Sequence, residues 1–222
     1  MLEKLLQLDK ELLLFINGIN SPFWDNFFWF YTDTAIWIPF YILIAAAVIY
    51  RQNTKGLLTL LFIGLVIVLC DQISSSIIKE TVERLRPSHE PDLEGIVRLL
   101  HNKKSGKFGF ISAHAANTFG LAMFTTLLFK KWWYGIFIFI WAVLNSYSRI
   151  YMGLHYPGDI LGGMILGLIT GCLIFLLYKK LVFYHVKGFL DVTKYKNEVL
   201  IPLIGGIFAI SMILLCARVM PM

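Results

Sequence analysis

Long runs of apolar residues alternate with short polar stretches along most of the chain. Each run approaches the roughly 20 residues that a helix needs to cross the hydrocarbon core of a bilayer. We therefore predict six transmembrane helices, at residues 34–51, 56–79, 111–129, 132–148, 158–178 and 199–218. Because hydrogen bonds within each helix satisfy the backbone in lipid, the predicted fold class is an all-α integral membrane helical bundle.

The first 33 residues follow a different pattern. In the segment MLEKLLQLDKELLLFINGIN, leucines recur at near-helical spacing between charged residues. This predicts an amphipathic helix, either at the membrane interface or packed on the bundle. The interrupting charges and the missing cleavage pattern argue against a signal peptide. The aromatic-rich segment that follows, SPFWDNFFWFYTDTAIW, fits an interfacial belt.

These patterns divide the chain into three parts. Residues 1–33 hold the amphipathic helix and the aromatic-rich entry segment. Residues 34–180 form the central bundle, and residues 181–222 add a basic loop and a further transmembrane helix. Glycines are expected to permit close helix approach around the last polar cluster. They are Gly153, Gly158, Gly162, Gly163 and Gly167.

Composition supports the membrane interpretation. The 222 residues are 58% hydrophobic and 15% charged, and mean hydropathy is +0.70, which excludes an ordinary soluble domain. The net charge of +6 is not arranged as a basic face with interleaved aromatics, so we expect lipid headgroups rather than nucleic acid as partners. The three cysteines lie inside apolar runs without a metal-ligand spacing.

The charged residues between the predicted helices are distributed unequally over the two sides. One side carries only two acidic residues, Asp191 and Glu198. Its nine basic residues are Arg51, Lys55, Lys130, Lys131, Lys179, Lys180, Lys187, Lys194 and Lys196. By the positive-inside rule this side is predicted to be cytoplasmic, which places both termini outside.

Three polar clusters fall at the opposite ends of the helices. In KETVERLRP, Lys79 and Arg86 are seven residues apart, close to two helical turns, so we expect them to share one helix face that ends at Pro87. Two cations there can bind an anion with several oxygens. The alternative is that both side chains reach from a helix end into water.

The second cluster, GFISAHAANTFG, opens the third predicted helix with Ser112 and His114. A helix N-terminus presents free N–H groups that suit phosphate, and Ser112 adds a hydroxyl. Alternatively, Ser112 is a simple N-cap and His114 makes a structural hydrogen bond.

The third cluster, SRIYMGLHYPGD, lies before the fifth predicted helix, with Pro157 as its first residue. His155 and Asp159 are four residues apart, so the carboxylate can accept one imidazole N–H and leave the other nitrogen free. Arg149 would point into the same region. The cluster predicts an oriented nucleophile or base beside an anion clamp, with a helix-cap contact as the alternative.

Together the clusters resemble the PAP2 (type 2 phosphatidic acid phosphatase) family, of the acid phosphatase and vanadium haloperoxidase superfamily. The resemblance covers about residues 45–178. Lys79 to Arg86-Pro87 matches the first family motif, and Ser148-Arg149, His155 and Asp159 match the third. The second motif differs, because Ala113 replaces the usual glycine and no proline precedes Ser112.

The resemblance implies a membrane enzyme that hydrolyses lipid phosphates without a metal or other cofactor. His155 would attack phosphorus to form a phosphohistidine, Asp159 would orient it, and His114 would protonate the leaving oxygen and then activate water. The expected phosphate-binding residues are Lys79, Arg86, Ser112 and Arg149.

Two further residues are supporting candidates. Asp71 lies inside the second predicted helix and forms an i, i+4, i+8 stripe with Ser75 and Lys79, so it either supports the floor of the site or joins two helices. At Ala113, the Cβ atom restricts how closely its N–H can approach phosphate.

The expected substrate is a membrane lipid phosphate in a bacterial inner membrane, with the site facing the periplasm or exterior. Undecaprenyl diphosphate and lipid A phosphate are favoured over phosphatidylglycerol phosphate and phosphatidic acid. Transfer of phosphate from the same phosphohistidine to a second lipid is the main alternative. A transporter is disfavoured because the predicted helix centres are apolar apart from Asp71. The oligomeric state is left open.

Overall fold

The computed structural model describes residues 1–185 and 195–219, with the backbone alone for residues 183–185. Regular structure in these residues is helical, apart from an isolated antiparallel bridge between Leu85 and Phe108. The α-helices of this part of the chain are α1 (Leu2–Gly18), α2 (Pro22–Tyr31), α3 (Ile38–Gln52), α4 (Gly56–Gln72), α5 (Lys79–Val82), α6 (Ala113–Phe129), α7 (Trp132–Tyr151), α8 (Pro157–His185) and α9 (Leu200–Val219). A π-helical segment, Ile73–Ile78, joins α4 to α5 without a break.

Three helical stretches of the described chain are long and apolar enough to cross a bilayer. They are Thr34–Val82, Pro157–Val182 and Asn197–Val219. The first contains both α3 and α4, which turn at Asn53 and pack against each other. The predicted all-α membrane bundle is therefore confirmed, while the predicted number of six crossings stays a prediction.

Several helix boundaries differ from the sequence prediction. A short 3₁₀ turn, Thr34–Trp37, precedes α3 and is capped by the side chain of Asp33. At the other end of the bundle α8 continues to His185, beyond the predicted end at residue 178, because its sequence stays helix-compatible. The proposed division of the chain at residue 180 thus falls within α8. Residues 186–194 of the predicted basic loop lie outside the described residues.

Helix α1 is amphipathic, as its sequence predicts. Its exposed apolar residues include Leu2, Leu5, Leu6, Leu8 and Leu12. Leu13 and Asn17 are buried, and the Asn17 amide donates to the carbonyl oxygens of Arg98 and Tyr151 at 2.9 and 2.7 Å. These contacts hold α1 against the bundle and leave an apolar side uncovered.

The aromatic-rich segment contributes more to the core than an interfacial belt would. It folds as α2, whose N-terminus is capped by Ser21, and α2 packs against α7 and α9. Phe27, Phe28 and Tyr31 are buried in these contacts. Aromatic residues occur around the whole circumference of this short helix. Some of them therefore face the bundle, however α2 is rotated about its axis.

The centre of the bundle is the close packing of α6 on α8. A Cβ atom on Gly163 would overlap the Ser112 carbonyl oxygen and lie 2.9 Å from the Ala115 Cβ atom. One on Gly167 would overlap the Ala116 carbonyl oxygen and lie 2.8 Å from the Gly120 nitrogen. The two backbones therefore touch along consecutive turns, which is how small residues promote helix association in lipid.

We predict that Gly167→Ala destabilises the protein by about 1–3 kcal/mol, because the added methyl group must push two backbones apart. Gly64→Ala is the matched control, because a Cβ on Gly64 of α4 meets nothing within 4 Å. Thermal unfolding in detergent should show a lower midpoint for Gly167→Ala alone. Equal midpoints for the two variants would contradict the tight α6–α8 contact.

Candidate active site

The three predicted polar clusters meet at one end of the bundle. This end holds the N-termini of α6 and α8, the turn between α7 and α8, and the segment after α5. The short turns Asn53–Lys55 and Lys130–Lys131 lie at the other ends of the same helices. The polar residues therefore share one depth in the bundle although they are far apart in sequence.

His155 and Asp159 form the oriented pair that their spacing predicts. Helix α7 ends at Tyr151, and Gly153 adopts a φ of 70°, so the chain reverses before α8 begins at Pro157. His155 Nδ1 then lies 3.2 Å from Asp159 Oδ2. Both side chains are buried, with relative exposures of 2% and 0%. The pair leaves the Nε2 atom of the imidazole facing the other polar residues.

The environment of His155 favours the neutral imidazole. Burial lowers the pKa of His155 well below its ordinary range, and the charges of Arg86, Arg149 and Lys79 act in the same direction. A neutral ring whose Nδ1 bears the proton toward Asp159 has a free electron pair on Nε2. The ring can therefore act as a nucleophile at neutral pH.

Arg86 reaches His155 by a different backbone path from the one predicted. Helix α5 ends at Val82, and Glu83 adopts a left-handed φ of 51°, so Lys79 and Arg86 do not share one helix face and that prediction is wrong. The chain continues extended through the Leu85 bridge, where Arg86 N–H donates to the carbonyl oxygen of Lys107 at 3.0 Å. The left-handed residue ends the helix before Pro87 can do so.

The Arg86 guanidinium is buried and tied down by main-chain acceptors. Nε donates to the Phe108 carbonyl oxygen at 3.0 Å and Nη1 to that of Leu154 at 3.1 Å. Nη1 also lies 2.7 Å from His155 Nε2. Because Nδ1 bears the proton, Nε2 accepts this hydrogen bond, and its electron pair becomes available only when another acceptor, such as an anion, takes over the Arg86 N–H.

Two more cations face the same pair. Arg149 is 6% exposed and donates from Nη1 to Thr32 Oγ1 at 3.0 Å, whereas its buried Nε has no hydrogen-bond partner in the described part of the chain. Lys79 Nζ donates to Ser75 Oγ at 3.3 Å. A buried N–H without an acceptor is costly, so this arrangement suits an anion that brings several oxygens.

The N-terminus of α6 completes the pocket. Ser112 is the N-cap: its hydroxyl oxygen accepts the Ala115 N–H at 3.4 Å, and its own N–H donates to the Asp159 carbonyl oxygen at 2.9 Å. Ala113 is the first helical residue and has an ordinary helical backbone. Alanine is therefore compatible with this position, because no glycine-only conformation is required.

His114 lies one residue further along α6. Its imidazole is hydrogen-bonded to the main chain of Thr32, the residue that also accepts from Arg149. Thr32 is buried and lies outside the three motifs, so sequence patterns did not indicate its role. It connects the segment before α3 to both predicted site residues.

Asp71 is not joined to the site by a hydrogen bond. In the described residues its carboxylate makes neither a hydrogen bond nor an ion pair, although Ser75 accepts from Lys79 as the stripe predicts. The π-helical segment Ile73–Ile78 lies between Asp71 and Lys79 and widens the turn, so α-helical spacing does not hold these two residues on one face, although Ser75 and Lys79 stay in contact. A supporting role for Asp71 stays a prediction.

Arg84 is a site residue that the motif analysis missed. Its Nη1 atom donates to Asp159 Oδ1 at 3.1 Å, and its Nη2 atom donates to Asp9 Oδ2 at 2.7 Å. A helix through residue 86 would have turned Arg84 away from Arg86. In the observed extended segment, residues two apart point to the same side. If the sequence RLRP had been interpreted as extended backbone, Arg84 would have been predicted to lie on the same side as Arg86.

An apolar cavity of about 350 Å³ opens beside His114. It lies between α3, α4, α6 and α7. Its lining includes Ile44, Ala45, Leu60, Ile67, Leu121 and Trp141. The pocket thus joins a charged centre to an apolar space within the bundle, as an amphiphilic ligand requires. No group of three or more His, Cys, Asp or Glu side chains in the described residues is placed to bind a metal ion.

A helical membrane bundle with a buried histidine among several cations at one end has the features of a membrane phosphatase. Residues 56–183 match the model of the PAP2 superfamily. The chain therefore belongs to the PAP2 superfamily, and the family predicted from the motifs is confirmed.

Known relatives agree with this assignment. The chain is 44% identical to the lipid A 4'-phosphatase of Bacteroides thetaiotaomicron over 183 residues, which cover 82% of this chain and 81% of that protein. It is 36% identical to the lipid A 4'-phosphatase of Porphyromonas gingivalis, over 80% of this chain and 75% of that one. The crystal structure of a transmembrane PAP2-type phosphatidylglycerolphosphate phosphatase from Bacillus subtilis superposes with a TM-score of 0.61 at 25% identity, covering 80% and 87% of the two chains.

The buried neutral state of His155 predicts a pH-dependent stability. The folded-state pKa lies below the unfolded value of about 6.5, so the stability from burying the neutral ring is complete above that pH and is lost as pH falls. Below about pH 6.5, His155 should lower the free energy of unfolding by up to about 1.4 kcal/mol for each further pH unit. His155→Asn keeps an N–H donor toward Asp159 but does not titrate.

The measurement is thermal unfolding of both proteins in detergent from about pH 7.5 to about pH 5.5, one unit on either side of the ordinary imidazole pKa. The wild type should lose more stability than His155→Asn over this range. Parallel curves would show that His155 is not held neutral in the fold.

Proposed function

We propose that this protein is an integral membrane phosphatase that removes phosphate from a membrane lipid through a phosphohistidine on His155. One observation carries the proposal: the buried Arg86 and Arg149 guanidiniums converge on His155, and Arg149 Nε has no partner in the described chain. The carboxylate beside them, Asp159, is already engaged by His155 and Arg84. A phosphate group would supply the missing acceptors and negative charge.

The geometry supports a two-step displacement. His155 Nε2 attacks phosphorus and forms a P–N bond while the P–O bond to the lipid breaks, and His114, protonated once the negatively charged phosphate is bound, gives that proton to the departing oxygen. His114 then takes a proton from water, whose oxygen attacks phosphorus and breaks the P–N bond. Inorganic phosphate leaves and His155 returns to its neutral form. Lys79, Arg86, Arg149 and Ser112 would hold the phosphate oxygens, since positioning and charge stabilisation dominate phosphoryl transfer.

The substrate is an amphiphile with a phosphate group. The apolar cavity beside His114 can take part of its hydrocarbon while the phosphate occupies the charged centre. Two relatives with long matches are named lipid A 4'-phosphatases, which favours lipid A phosphate. Undecaprenyl diphosphate, phosphatidylglycerol phosphate and phosphatidic acid are the remaining candidates, and relatives named for the first two occur among the more distant matches.

We also propose that the site faces the exterior or periplasmic side of a bacterial inner membrane. The turns rich in basic residues lie at the bundle end opposite the site. A preference of such residues for the cytoplasm would orient the catalytic end outward.

The first test is phosphate release from a panel of lipid phosphates, measured in detergent without added metal. Wild type should release phosphate, and His155→Ala should lose the activity because the nucleophile is gone. His101→Ala is the matched control, because His101 is an exposed histidine in the loop outside the site. The panel should show the highest kcat/KM with lipid A 4'-phosphate.

The outcomes separate the competing functions. No release from folded wild type would contradict the phosphatase assignment. Labelled phosphate on a second lipid instead of in water would identify a phosphotransferase using the same intermediate. Solute flux through vesicles that persists in His155→Ala, with no release by either protein, would indicate a transporter.

The cavity predicts a second, independent effect. Ala45→Trp should raise KM for a long-chain lipid phosphate because the indole fills space that the hydrocarbon needs, and it should spare a short water-soluble phosphate ester. Ala46→Trp is the matched control, because Ala46 is the next residue of α3 and is exposed. Equal KM values in both variants would mean that the hydrocarbon binds elsewhere.

A further inference from the structure

Arg84 and Asp9 link the N-terminal helix to the carboxylate that orients His155. One Arg84 guanidinium bridges two acids, with Nη1 on Asp159 Oδ1 at 3.1 Å and Nη2 on Asp9 Oδ2 at 2.7 Å. The other Asp9 oxygen accepts the Gly158 N–H at 2.7 Å. Asp9 thus binds both the arginine and the first turn of α8.

The surroundings hold Arg84 in place. Its guanidinium carbon lies 4.0 Å from the centre of the Tyr156 ring, and its carbonyl oxygen accepts the Gly109 N–H at 2.8 Å. Gly158 leaves room for the acid, because a Cβ atom there would lie 2.7 Å from Asp9 Oδ2. The Arg84 and Asp9 side chains are only 19% and 12% exposed, so water competes little for these contacts.

Asp159 depends on this link for one of its three side-chain hydrogen bonds, the one that holds Oδ1. Its Oδ2 atom accepts from Tyr156 N–H at 3.1 Å and contacts His155 Nδ1 at 3.2 Å, while Oδ1 is held by Arg84. Without the guanidinium, Oδ1 would lose the contact that fixes the rotation of the carboxylate. His155 would then lose its alignment, since its ring is held through Oδ2.

We propose that Asp9 and Arg84 are positioning residues that hold Asp159, and through it His155, in the orientation needed to attack phosphorus. The inference rests on the proposed function. It makes α1 part of the catalytic unit, although Asp9 lies outside residues 56–183, which match the family model. Arginine is required because its planar fork can bind two carboxylates at once, which a lysine cannot do with the same geometry.

Other contacts of α1 provide controls. Lys10 also forms an ion pair with the loop, but its Nζ atom lies 3.6 Å from the exposed Asp92, away from the dyad. Asn17 anchors the other end of α1 through main-chain contacts. Variants at these positions disturb the helix without removing the link to Asp159.

Steady-state phosphate release should be measured for wild type, Asp9→Ala, Asp9→Asn, Arg84→Lys, Lys10→Ala and Asn17→Ala. We expect kcat to fall about tenfold or more in Asp9→Ala and Arg84→Lys. KM should change by less than about twofold, since the phosphate-binding cations are untouched. The kcat of Asp9→Asn should lie between those of wild type and Asp9→Ala, because asparagine keeps the oxygen that accepts the Gly158 N–H but loses the negative charge. In the Asp9→Ala/Arg84→Lys double variant, kcat should be no lower than in the more impaired of the two single variants, because both substitutions break the same link.

Three results would overturn the inference. One is a kcat near that of wild type in folded Asp9→Asn and Arg84→Lys. Another is a rise in KM at constant kcat. The last is an equal loss of kcat in Lys10→Ala or Asn17→Ala, which would mean that anchoring of α1 alone matters. If Asp9→Ala does not fold, the two conservative variants carry the test.

A readout without turnover separates this inference from the proposed function. The ¹⁵N chemical shifts of His155, identified by comparison with His155→Ala, report which ring nitrogen bears the proton. Wild type should show the proton on Nδ1, and Asp9→Asn and Arg84→Lys should show a mixture of tautomers. Unchanged shifts would contradict the positioning role. Wild type that releases no phosphate but shows these shifts would contradict the proposed function alone.

Discussion

The close contact between α6 and α8 is the constraint on which the site depends. Gly163 and Gly167 let the two backbones touch, so the N-termini of both helices lie side by side. The hydrogen bond from Ser112 N–H to the Asp159 carbonyl oxygen joins them. Side chains from separate motifs then meet at one depth, because each motif occupies a helix end. In lipid, such contact comes from packing small residues rather than from the hydrophobic effect.

The site formed by this contact carries more positive than negative charge. Arg86 and Arg149 are both buried, and Asp159 already has partners on both oxygens. Buried charges of one sign are costly when they are unpaired, so the arrangement is stable only if main-chain oxygens or a bound anion compensate. Main-chain oxygens of Phe108 and Leu154 do this for Arg86. Arg149 Nε has no such partner in the described part of the chain, an arrangement that suits a bound anion.

The motifs themselves could be found from the sequence, because local spacing controls local geometry. The spacing of His155 and Asp159 across Pro157 produces the observed contact, since a helix start places residues of this kind on one side. The link between Arg84 and Asp9 could not be found in this way. It joins residues 75 positions apart through an extended segment that follows a left-handed residue at Glu83. The sequence prediction continued the helix to Pro87 and therefore missed the change to extended backbone after Glu83.

By itself, the sequence determined the membrane environment, the helical fold class and the family, and it supplied the residues that we propose to react. Apolar runs must become helices in lipid, and the chemical groups at each motif do not depend on the rest of the fold. Tertiary structure alone decided how those groups face one another. It set Arg86 beside Nε2 of His155, left Arg149 Nε without a partner in the described residues, and brought Asp9 of α1 to Gly158 of α8. Such contacts depend on helix packing and loop paths, which arise from many weak interactions distant in sequence.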